Sequence, residues 1–143
     1  MLIDYILVYI FSGFMGWLIE KYYFIRENPC GDTMNKKFLN ICIPFLHVWA
    51  IGGIITIAIY NSLPKTNIFI LSLLVAIVLS IFECVVGQLS YKINGHKTWE
   101  YEPYKCVTCN GFVSLYATAH WYLFALLLLF LFKFYKLAFS PKI

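Results

Sequence analysis

Four long apolar segments, separated by short polar connections, dominate the hydrophobic pattern of this 143-residue chain. They cover about residues 2–19, 38–60, 68–91 and 111–132. Each segment is close to the length of about 20 apolar residues that an α-helix needs to cross the hydrocarbon core of a bilayer. The pattern therefore predicts an all-α fold, a polytopic membrane bundle of about four transmembrane helices that forms one domain over residues 1–143.

The first segment resembles a signal peptide in its position, and the second contains residues that often end a helix. The first begins at Leu2 without a preceding basic region, and no small-residue cleavage site precedes Glu20. We therefore expect a retained helix rather than a removable signal peptide. The second segment is interrupted by Pro44, Gly52 and Gly53. Membrane helices tolerate such residues when neighbouring helices satisfy the freed backbone groups, so we expect a helix here too.

Composition and charge agree with this class of protein. Hydrophobic residues make up 62% of the chain and charged residues only 13%, whereas soluble domains carry about a quarter charged residues. The formal charge of +4 comes from Lys and Arg near the segment ends, where they meet lipid headgroups; no basic run indicates nucleic acid. Connections 20–37 and 92–109 hold seven of the eleven basic residues, which predicts that both are cytoplasmic.

Each predicted helix carries one stripe of small or polar residues, which falls within an arc of about 100° when successive residues are placed about 100° apart. Packing between helices explains most of these positions, because small residues allow close approach and hydroxyls bond across the contact. The stripes comprise Tyr5, Tyr9, Ser12, Gly13, Gly16 and Glu20; Trp49, Gly52, Gly53, Thr56 and Tyr60; Ser72, Ala76, Ser80, Glu83, Gly87 and Ser90; and Asn110, Ser114, Ala117, Thr118 and Trp121.

Packing alone does not explain Glu83. A charged glutamate that faces acyl chains costs at least a few kcal/mol, so Glu83 must face the bundle or a wet cavity, be paired, or be protonated. Four crossings place Glu20, Glu83 and Asn110 at the same side of the membrane, where they could line one vestibule. A structural bridge at Glu83, and a Glu20 that simply reaches water, are the alternatives.

Further candidate binding residues lie in the third connection and at the start of the fourth segment. Trp99, Glu100 and Tyr101 form either a belt at the membrane interface or a lid over the bundle. Ser114 lies on the fourth stripe and His120 on its flank, where a histidine in a helix contact is the alternative to a binding role.

The cysteines give a weaker signal. Cys106 and Cys109 form a CxxC pair, and Cys30 and His96 would lie on the same side, which makes a four-ligand zinc set conceivable. A redox or disulfide pair and unlinked thiols are the alternatives. Cys42 and Cys84 lie within segments and are interpreted as small apolar fillers. We predict no cofactor.

Several short sequence pieces occur together in a characteristic order: GWLIE at 16–20, KKFLN at 36–40, PFLHVWAIGG at 44–53, Glu83 with Gly87, WEY at 99–101, and NGFVSL at 110–115 followed by Trp121. In this order the chain resembles the type IV ABC transporter permeases of the CmpB type, a family that includes animal transmembrane proteins of unknown function. The CxxC pair is not part of the resemblance. The resemblance implies a compact multi-helix membrane fold.

These observations favour a transporter or permease-like component, or an ion-binding component, over an enzyme. Glu20 and Glu83 would bind a cationic group, a metal ion or a proton near a polar cavity. The chain has no Walker A phosphate loop, so ATP hydrolysis would need a separate ATPase subunit. We expect membrane lipids and either further copies of the chain or another membrane subunit as partners.

Two alternatives remain open at this stage. One is a membrane enzyme that acts on a lipid or isoprenoid, with Glu83, His120, Glu100 and Asn110 as acid, base and orienting groups. The other is a structural or regulatory partner subunit whose stripes pack against another membrane protein.

Overall fold

The computed structural model describes residues 2–23, 47–97, 99–101 and 106–139. Its four α-helices are α1 (Leu2–Leu18), α2 (His47–Ser62), α3 (Ile68–Asn94) and α4 (Leu115–Phe139). A π-helical turn, Ile19–Tyr23, continues α1. Between α3 and α4, the strands β1 (Val107–Thr108) and β2 (Val113–Ser114) form a short antiparallel hairpin around a 3₁₀ turn, Cys109–Gly111. The prediction of an all-α fold is confirmed.

Three described stretches are long and apolar enough to cross a membrane: Leu2–Tyr22, Ile68–Asn94 and Leu115–Phe139. Helix α2 has 16 residues, and the first part of the predicted second segment, residues 38–46, lies outside the described residues. Helices of 21 to 27 residues are long enough to cross the hydrocarbon core of a bilayer when they are somewhat tilted. The chain is an integral membrane protein.

Local chemistry fixes both ends of α3. The Asn67 side chain caps the helix by accepting a 2.9 Å hydrogen bond from the Phe69 amide. At the other end, Gly95 adopts a left-handed conformation with φ 72°, and its amide donates to the Tyr91 carbonyl at 2.9 Å. The helix therefore starts where the apolar pattern predicted and ends three residues later than residue 91.

Helix α4 begins at Leu115 rather than at residue 111, which corrects the predicted boundary. Asn110 and Gly111 have φ values of 55° and 93°, which a right-handed helix excludes. The Ser114 hydroxyl then accepts a 3.0 Å hydrogen bond from the Ala117 amide, as a helix-capping side chain does. At its other end, α4 continues to Phe139, past the predicted residue 132.

Large apolar side chains cover the outer faces of the long helices. They recur three or four residues apart, as expected for one face of a helix. Exposed apolar surface of this extent is typical of a lipid-facing surface rather than of a soluble monomer. Exposed examples are Ile3, Ile6, Leu7, Ile10 and Phe14 on α1; Ile70, Leu73, Ile77, Ile81 and Val85 on α3; and Leu123, Leu127, Phe130, Phe134 and Leu137 on α4.

The described residues group into two compact units, 1–54 and 55–143, with the boundary inside α2. In the N-terminal unit, α1 and the first part of α2 approach closely at glycines. A Cβ on Gly16 would lie 2.7 Å from Trp49 Cδ1, and a Cβ on Gly53 would lie 2.7 Å from Ser12 Cβ. Small residues thus allow helix contact, as the stripes on these two segments predicted.

In the C-terminal unit, α3 and α4 pack along their predicted stripes. Ser80 and Thr118 share a 2.8 Å hydrogen bond between the two helices. The Tyr60 ring, from the end of α2, makes an edge contact with Phe132 at 5.8 Å between centroids. The buried residues are Leu71, Ser72, Val75, Ala76, Leu79, Glu83 and Gly87 on α3, and Ala117, Trp121, Phe124, Ala125, Leu128, Leu129 and Phe132 on α4.

Candidate functional site

The carboxylate of Glu83 lies in the interior of the C-terminal unit, where the residue is only 5% exposed. Its Oε1 atom accepts a 2.8 Å hydrogen bond from the Tyr101 hydroxyl. Its Oε2 atom accepts a 3.1 Å hydrogen bond from the Trp121 indole nitrogen. We call Glu83, Tyr101 and Trp121 the Glu83 cluster. Of the alternatives that the sequence left open for Glu83, the structure shows a buried and hydrogen-bonded side chain. The cluster joins α3, α4 and the connection between them.

Tyr101 reaches Glu83 because the connection after α3 folds back on the start of α4. The Tyr101 amide donates to the Gly111 carbonyl at 2.8 Å. The Trp99 indole nitrogen donates to the Phe112 carbonyl at 3.2 Å, and the two rings make an edge contact at 5.5 Å. These bonds hold Tyr101, which is 9% exposed, against the buried faces of α3 and α4.

Phe112 fills the space beside the cluster. Its side chain is 1% exposed and lies directly against Gly87, one helical turn after Glu83. A Cβ on residue 87 would lie 2.9 Å from Phe112 Cβ and would overlap the ring. Glycine at this position therefore lets the hairpin settle on α3, which explains why Glu83 and Gly87 occur together.

A disulfide between Cys84 and Cys109 fastens the same turn to α3, with 5.8 Å between their Cα atoms. The interpretation of Cys84 as an apolar filler was wrong. Cys109 pairs with Cys84 and not with Cys106, which is a free, exposed thiol. The CxxC spacing favours a bond between Cys106 and Cys109, whereas the fold brings Cys84, 25 residues away, next to Cys109.

The chemistry of the cluster is that of an oriented carboxylate. An indole nitrogen can only donate, so Oε2 of Glu83 acts as an acceptor towards Trp121. The phenol hydroxyl of Tyr101 can donate or accept, so this contact survives a change in the protonation of Oε1. Both partners are neutral, and they orient the carboxylate without adding a positive charge.

Comparison with protein families decides where the chain belongs. Residues 7–141 match the model of the CmpB family, described as "Putative ABC-transporter type IV". The chain belongs to this family. No curated protein and no solved structure matched it. The family resemblance read from the short sequence pieces is confirmed, and the membrane helices of this CmpB-family chain agree with the family's transporter description.

Glu20, the other candidate carboxylate in the membrane segments of this CmpB-family chain, lies in the N-terminal unit on the π-helical turn after α1. The Trp49 indole nitrogen donates to its Oε1 atom over 3.4 Å. Glu20 is half-buried, and Trp49 is 7% exposed. The vestibule predicted for Glu20, Glu83 and Asn110 stays a prediction.

The polar candidates near the hairpin have local partners or face outwards. Asn110 is exposed, and its φ of 55° is a left-handed conformation that asparagine tolerates better than most residues. Glu100 forms an ion pair with Lys97 and is 40% exposed at its side chain.

Ser114 and His120 are engaged with α4 itself. Ser114 caps this helix and is 1% exposed. The His120 Nδ1 atom lies 2.8 Å from the Tyr116 carbonyl oxygen, and the two rings are 4.3 Å apart. The described surroundings of His120 are therefore those of a histidine in a helix contact, which was the alternative to a binding role.

The zinc set is not assembled in the described part of the chain. Within residues 2–23, 47–97, 99–101 and 106–139, no group of three or more His, Cys, Asp or Glu could hold a metal ion. Cys109 is in the disulfide and offers no thiolate, and His96 Nδ1 lies 3.0 Å from the Asn94 carbonyl oxygen. Cys30, the remaining candidate ligand, and Cys42 lie outside the described residues.

Sequence reasoning missed three members of this site: Trp121 and Phe112 as neighbours of the Glu83 turn, and Cys84 as a disulfide partner. In the sequence, Trp121 was visible as one residue of the fourth stripe and as the residue that follows the NGFVSL piece. The signal available for Cys84 was its position next to Glu83, on a helix that the third connection had to cover. Neither signal identifies a partner 25 or 38 residues away.

Proposed function

We propose that this chain is a non-enzymatic membrane component of a transporter, in which the Glu83 cluster binds a cation: a proton, a metal ion or a cationic substrate group. One observation carries the proposal. Glu83 lies on a membrane-length helix, 5% exposed, with each carboxylate oxygen held by a different structural element. The family's transporter description supports the same conclusion.

The physical argument starts from the cost of an ionisable group inside a membrane. Such residues are rare in membrane helices and mark ion or substrate pathways, because their charge is otherwise expensive in the bilayer. Trp121 is fixed on α4, whereas Tyr101 belongs to the connection. A cation could therefore replace the Tyr101 hydroxyl at Oε1 while Trp121 keeps the carboxylate oriented.

Glu20 is proposed as a further cation-binding carboxylate within the N-terminal unit, where the hydrogen bond from the Trp49 indole nitrogen to its Oε1 atom is long. The wider candidate set, Asn110, Trp99, Glu100, Ser114 and His120, then supports or lines the approach to the Glu83 cluster rather than binding the cation itself.

The proposed partners follow from the surface and the family. The apolar outer faces of α1, α3 and α4 would contact membrane lipids, and four helices are few for a complete pathway. We therefore expect assembly with further copies of the chain or another membrane subunit. A separate ATPase subunit would supply ATP hydrolysis, because the chain has no phosphate-binding loop.

Flux measurements on purified protein in vesicles test the proposed function. Vesicles are given a gradient of H⁺, Na⁺, K⁺ or radiolabelled tetramethylammonium, with and without the protein, and entry is read with a dye selective for the inorganic ion or by the label. We expect Glu83→Gln to lower protein-dependent flux at least about tenfold, the scale on which loss of one charged contact changes binding. Ser62→Ala, which removes an exposed hydroxyl bonded within α2, is the control.

Protein-dependent flux that is unchanged in both Glu83→Gln and Glu20→Gln contradicts the proposal. If the same variants lower only the free energy of unfolding or the yield of a complex, the structural-partner alternative is correct. Turnover of an added lipid that Glu83→Ala abolishes would instead support the enzyme alternative.

We also propose that connections 20–37 and 92–109 lie on the cytoplasmic side of the membrane. The basic residues favour the cytoplasm, whereas a persistent disulfide such as Cys84–Cys109 is typical of oxidising compartments. Cys106 is exposed and reports on this side. Labelling by a membrane-impermeant maleimide in inside-out vesicles, but not in right-side-out vesicles, supports the cytoplasmic assignment, and the reverse pattern contradicts it.

A further inference from the structure

The two oxygens of the Glu83 carboxyl group have hydrogen-bond partners of different kinds. The Trp121 indole nitrogen, 3.1 Å from Oε2, can only donate. The Tyr101 hydroxyl, 2.8 Å from Oε1, can donate to a carboxylate or accept from a carboxylic acid. A proton on Oε2 would point at the indole N–H, whereas a proton on Oε1 finds an acceptor once the phenol hydrogen turns away. Of the two oxygens, Oε1 is therefore the one that suits a proton.

A proton on Oε1 leaves the heavy atoms of the Glu83 cluster where they are. A separation of 2.8 Å between two oxygens is an ordinary length for an O–H···O hydrogen bond in either direction. The charged and neutral forms of Glu83 can therefore share one arrangement, in which Trp121 keeps its bond to Oε2. Loading and unloading of a proton at this site requires only a rotation of the phenol hydrogen.

A metal ion at this site would need more ligands and more room. Magnesium and calcium bind about six to eight oxygen atoms at about 2.0–2.6 Å. In the part of the chain that the structure describes, no three His, Cys, Asp or Glu side chains come together as a metal site. The side chains beside the Glu83 carboxylate are instead buried aromatic ones, those of Tyr101, Phe112 and Trp121.

An organic cation would have to displace side chains that have other contacts as well. The Tyr101 amide donates to the Gly111 carbonyl at 2.8 Å. The Trp121 ring makes an edge contact with Phe124 at 5.8 Å between centroids. A large cation beside the carboxylate would break a bond to Glu83 and shift one of these rings. A proton costs neither contact.

We propose that the cation bound by the Glu83 cluster is a proton on Oε1, and that the Tyr101 hydroxyl selects it by changing from hydrogen-bond donor to acceptor. One O–H bond forms at Oε1 with a proton from water, the phenol O–H bond is kept, and the carboxylate loses its negative charge. The role of this proton in transport rests on the proposed function, whereas its binding at Oε1 does not.

Other titratable groups lie on the elements packed against Glu83. They are Tyr116, His120 and Tyr122 on α4, Lys97 and Glu100 on the connection, and Cys106 beside the hairpin. Lys97 and Glu100 form an ion pair, so their opposite charges offset each other at the cluster. Since these groups also bind protons, the test has to follow Glu83 and Tyr101 themselves.

Infrared difference spectroscopy of the full chain in lipid nanodiscs follows both groups. Spectra are recorded from about pH 4 to about pH 10, which covers exposed and buried carboxyl groups in proteins. We expect the C=O band of a protonated carboxyl group, which disappears as the pH rises and is absent from Glu83→Gln. In ¹³C-tyrosine-labelled protein, the phenol C–O band should change at the same pH, because the hydroxyl reverses its role.

Two tyrosine variants assign the phenol signal. Tyr101→Phe should remove the change in the phenol band, whereas Tyr91→Phe, at an exposed position on α3, is the matched control and should retain it. A spectrum without a titrating Glu83 band, or with an unchanged phenol band, overturns the proposal. If Glu83→Gln does not fold, Tyr101→Phe identifies the carboxyl band, because loss of the bonded phenol must change its frequency.

Added cations distinguish a proton site from a site for a larger cation. The titration is repeated at equal ionic strength with Na⁺, K⁺, Mg²⁺ or tetramethylammonium. We expect each cation to move the midpoint of the Glu83 band by less than about one pH unit, which is a tenfold change in proton affinity. A larger shift shows competition at the carboxylate and overturns the choice of the proton.

Flux measurements distinguish failure of this proposal from failure of the proposed function. Glu83-dependent flux of H⁺ supports both. Glu83-dependent flux of Na⁺, K⁺ or tetramethylammonium without flux of H⁺ overturns the proton assignment and leaves the proposed function standing. Protein-dependent flux that is unchanged in both Glu83→Gln and Glu20→Gln contradicts the proposed function, while the infrared titration still decides whether Glu83 takes up the proton.

Discussion

The N-terminal and C-terminal units each place a glycine and a carboxylate four residues apart on one helical stretch. Gly16 and Glu20 lie on α1 and its π-helical turn, and Glu83 and Gly87 lie on α3. In each unit a large aromatic side chain packs against the glycine, and a tryptophan indole donates to the carboxylate. The same local pattern thus supports the same two kinds of contact.

The two units differ in how many residues make the contact with the glycine and the hydrogen bonds to the carboxylate. In the N-terminal unit Trp49 does both, packing against Gly16 and donating to Glu20 over 3.4 Å. In the C-terminal unit the tasks are divided, because Phe112 packs against the glycine while Trp121 and Tyr101 bind the carboxylate at 3.1 and 2.8 Å.

We infer that this division of contacts affects how firmly each carboxylate is held. Trp49 both packs against Gly16 and donates, and its hydrogen bond is the longer of the two indole bonds. Separate residues can each adopt the position that suits one task. We therefore expect Glu83 to depend strongly on its partners and Glu20 to depend weakly on its own.

The largest expected effect comes from removing each carboxylate. Glu83→Ala leaves the Tyr101 hydroxyl and the Trp121 indole without this acceptor, and we expect the free energy of unfolding to fall by about 2–5 kcal/mol. Glu20→Ala should cost less than about 1 kcal/mol, since its described bond is long and the side chain lies at a helix end.

Unfolding of detergent-solubilised protein by added SDS, followed by near-UV circular dichroism, measures both values. Glu100→Ala is the control for loss of an exposed carboxylate. Equal losses for Glu83→Ala and Glu20→Ala would show that the division of contacts has no energetic consequence.

The next effect comes from adding one methyl group to each glycine. Gly87→Ala and Gly16→Ala should each lower the free energy of unfolding by about 1–3 kcal/mol, because the new Cβ overlaps Phe112 or Trp49. In the N-terminal unit the displaced aromatic is also the hydrogen-bond donor. Gly16→Ala should therefore be non-additive with Glu20→Gln.

The same unfolding titrations give the double-variant energies. Phe112→Leu in the Gly87→Ala background should restore part of the loss by making room for the methyl group. A Gly87→Ala variant as stable as the wild-type chain would contradict the close contact between Gly87 and Phe112.

The smallest expected effect comes from removing each indole nitrogen while keeping an aromatic ring in its place. Trp121→Phe removes a 3.1 Å bond to a buried carboxylate and should cost about 1–2 kcal/mol. Trp49→Phe removes a 3.4 Å bond and should cost less than about 0.5 kcal/mol, while a ring still packs against Gly16. Thermal unfolding in detergent ranks the two variants, and a larger loss for Trp49→Phe would reverse the comparison.

The membrane class, the all-α fold and the buried side of α3 could all be predicted from the order of apolar and polar residues. These follow from local rules, since about 20 apolar residues span a bilayer and a period of about 3.6 residues separates the two faces of a helix. The same rules placed Glu83 and Gly87 in the interior, and the short pieces identified the family that the comparison confirmed.

The partners of Glu83 and of Cys109 could not be predicted from the order of residues, because they depend on how the chain folds. These contacts join residues 18 to 38 positions apart, and they depend on how the connection before α4 folds back on α3. Local periodicity cannot encode that fold, because left-handed residues at 106, 109 and 110 turn the chain where no helix or strand pattern exists. The apolar pattern placed the carboxylate inside the protein, and the folded connection supplied its partners.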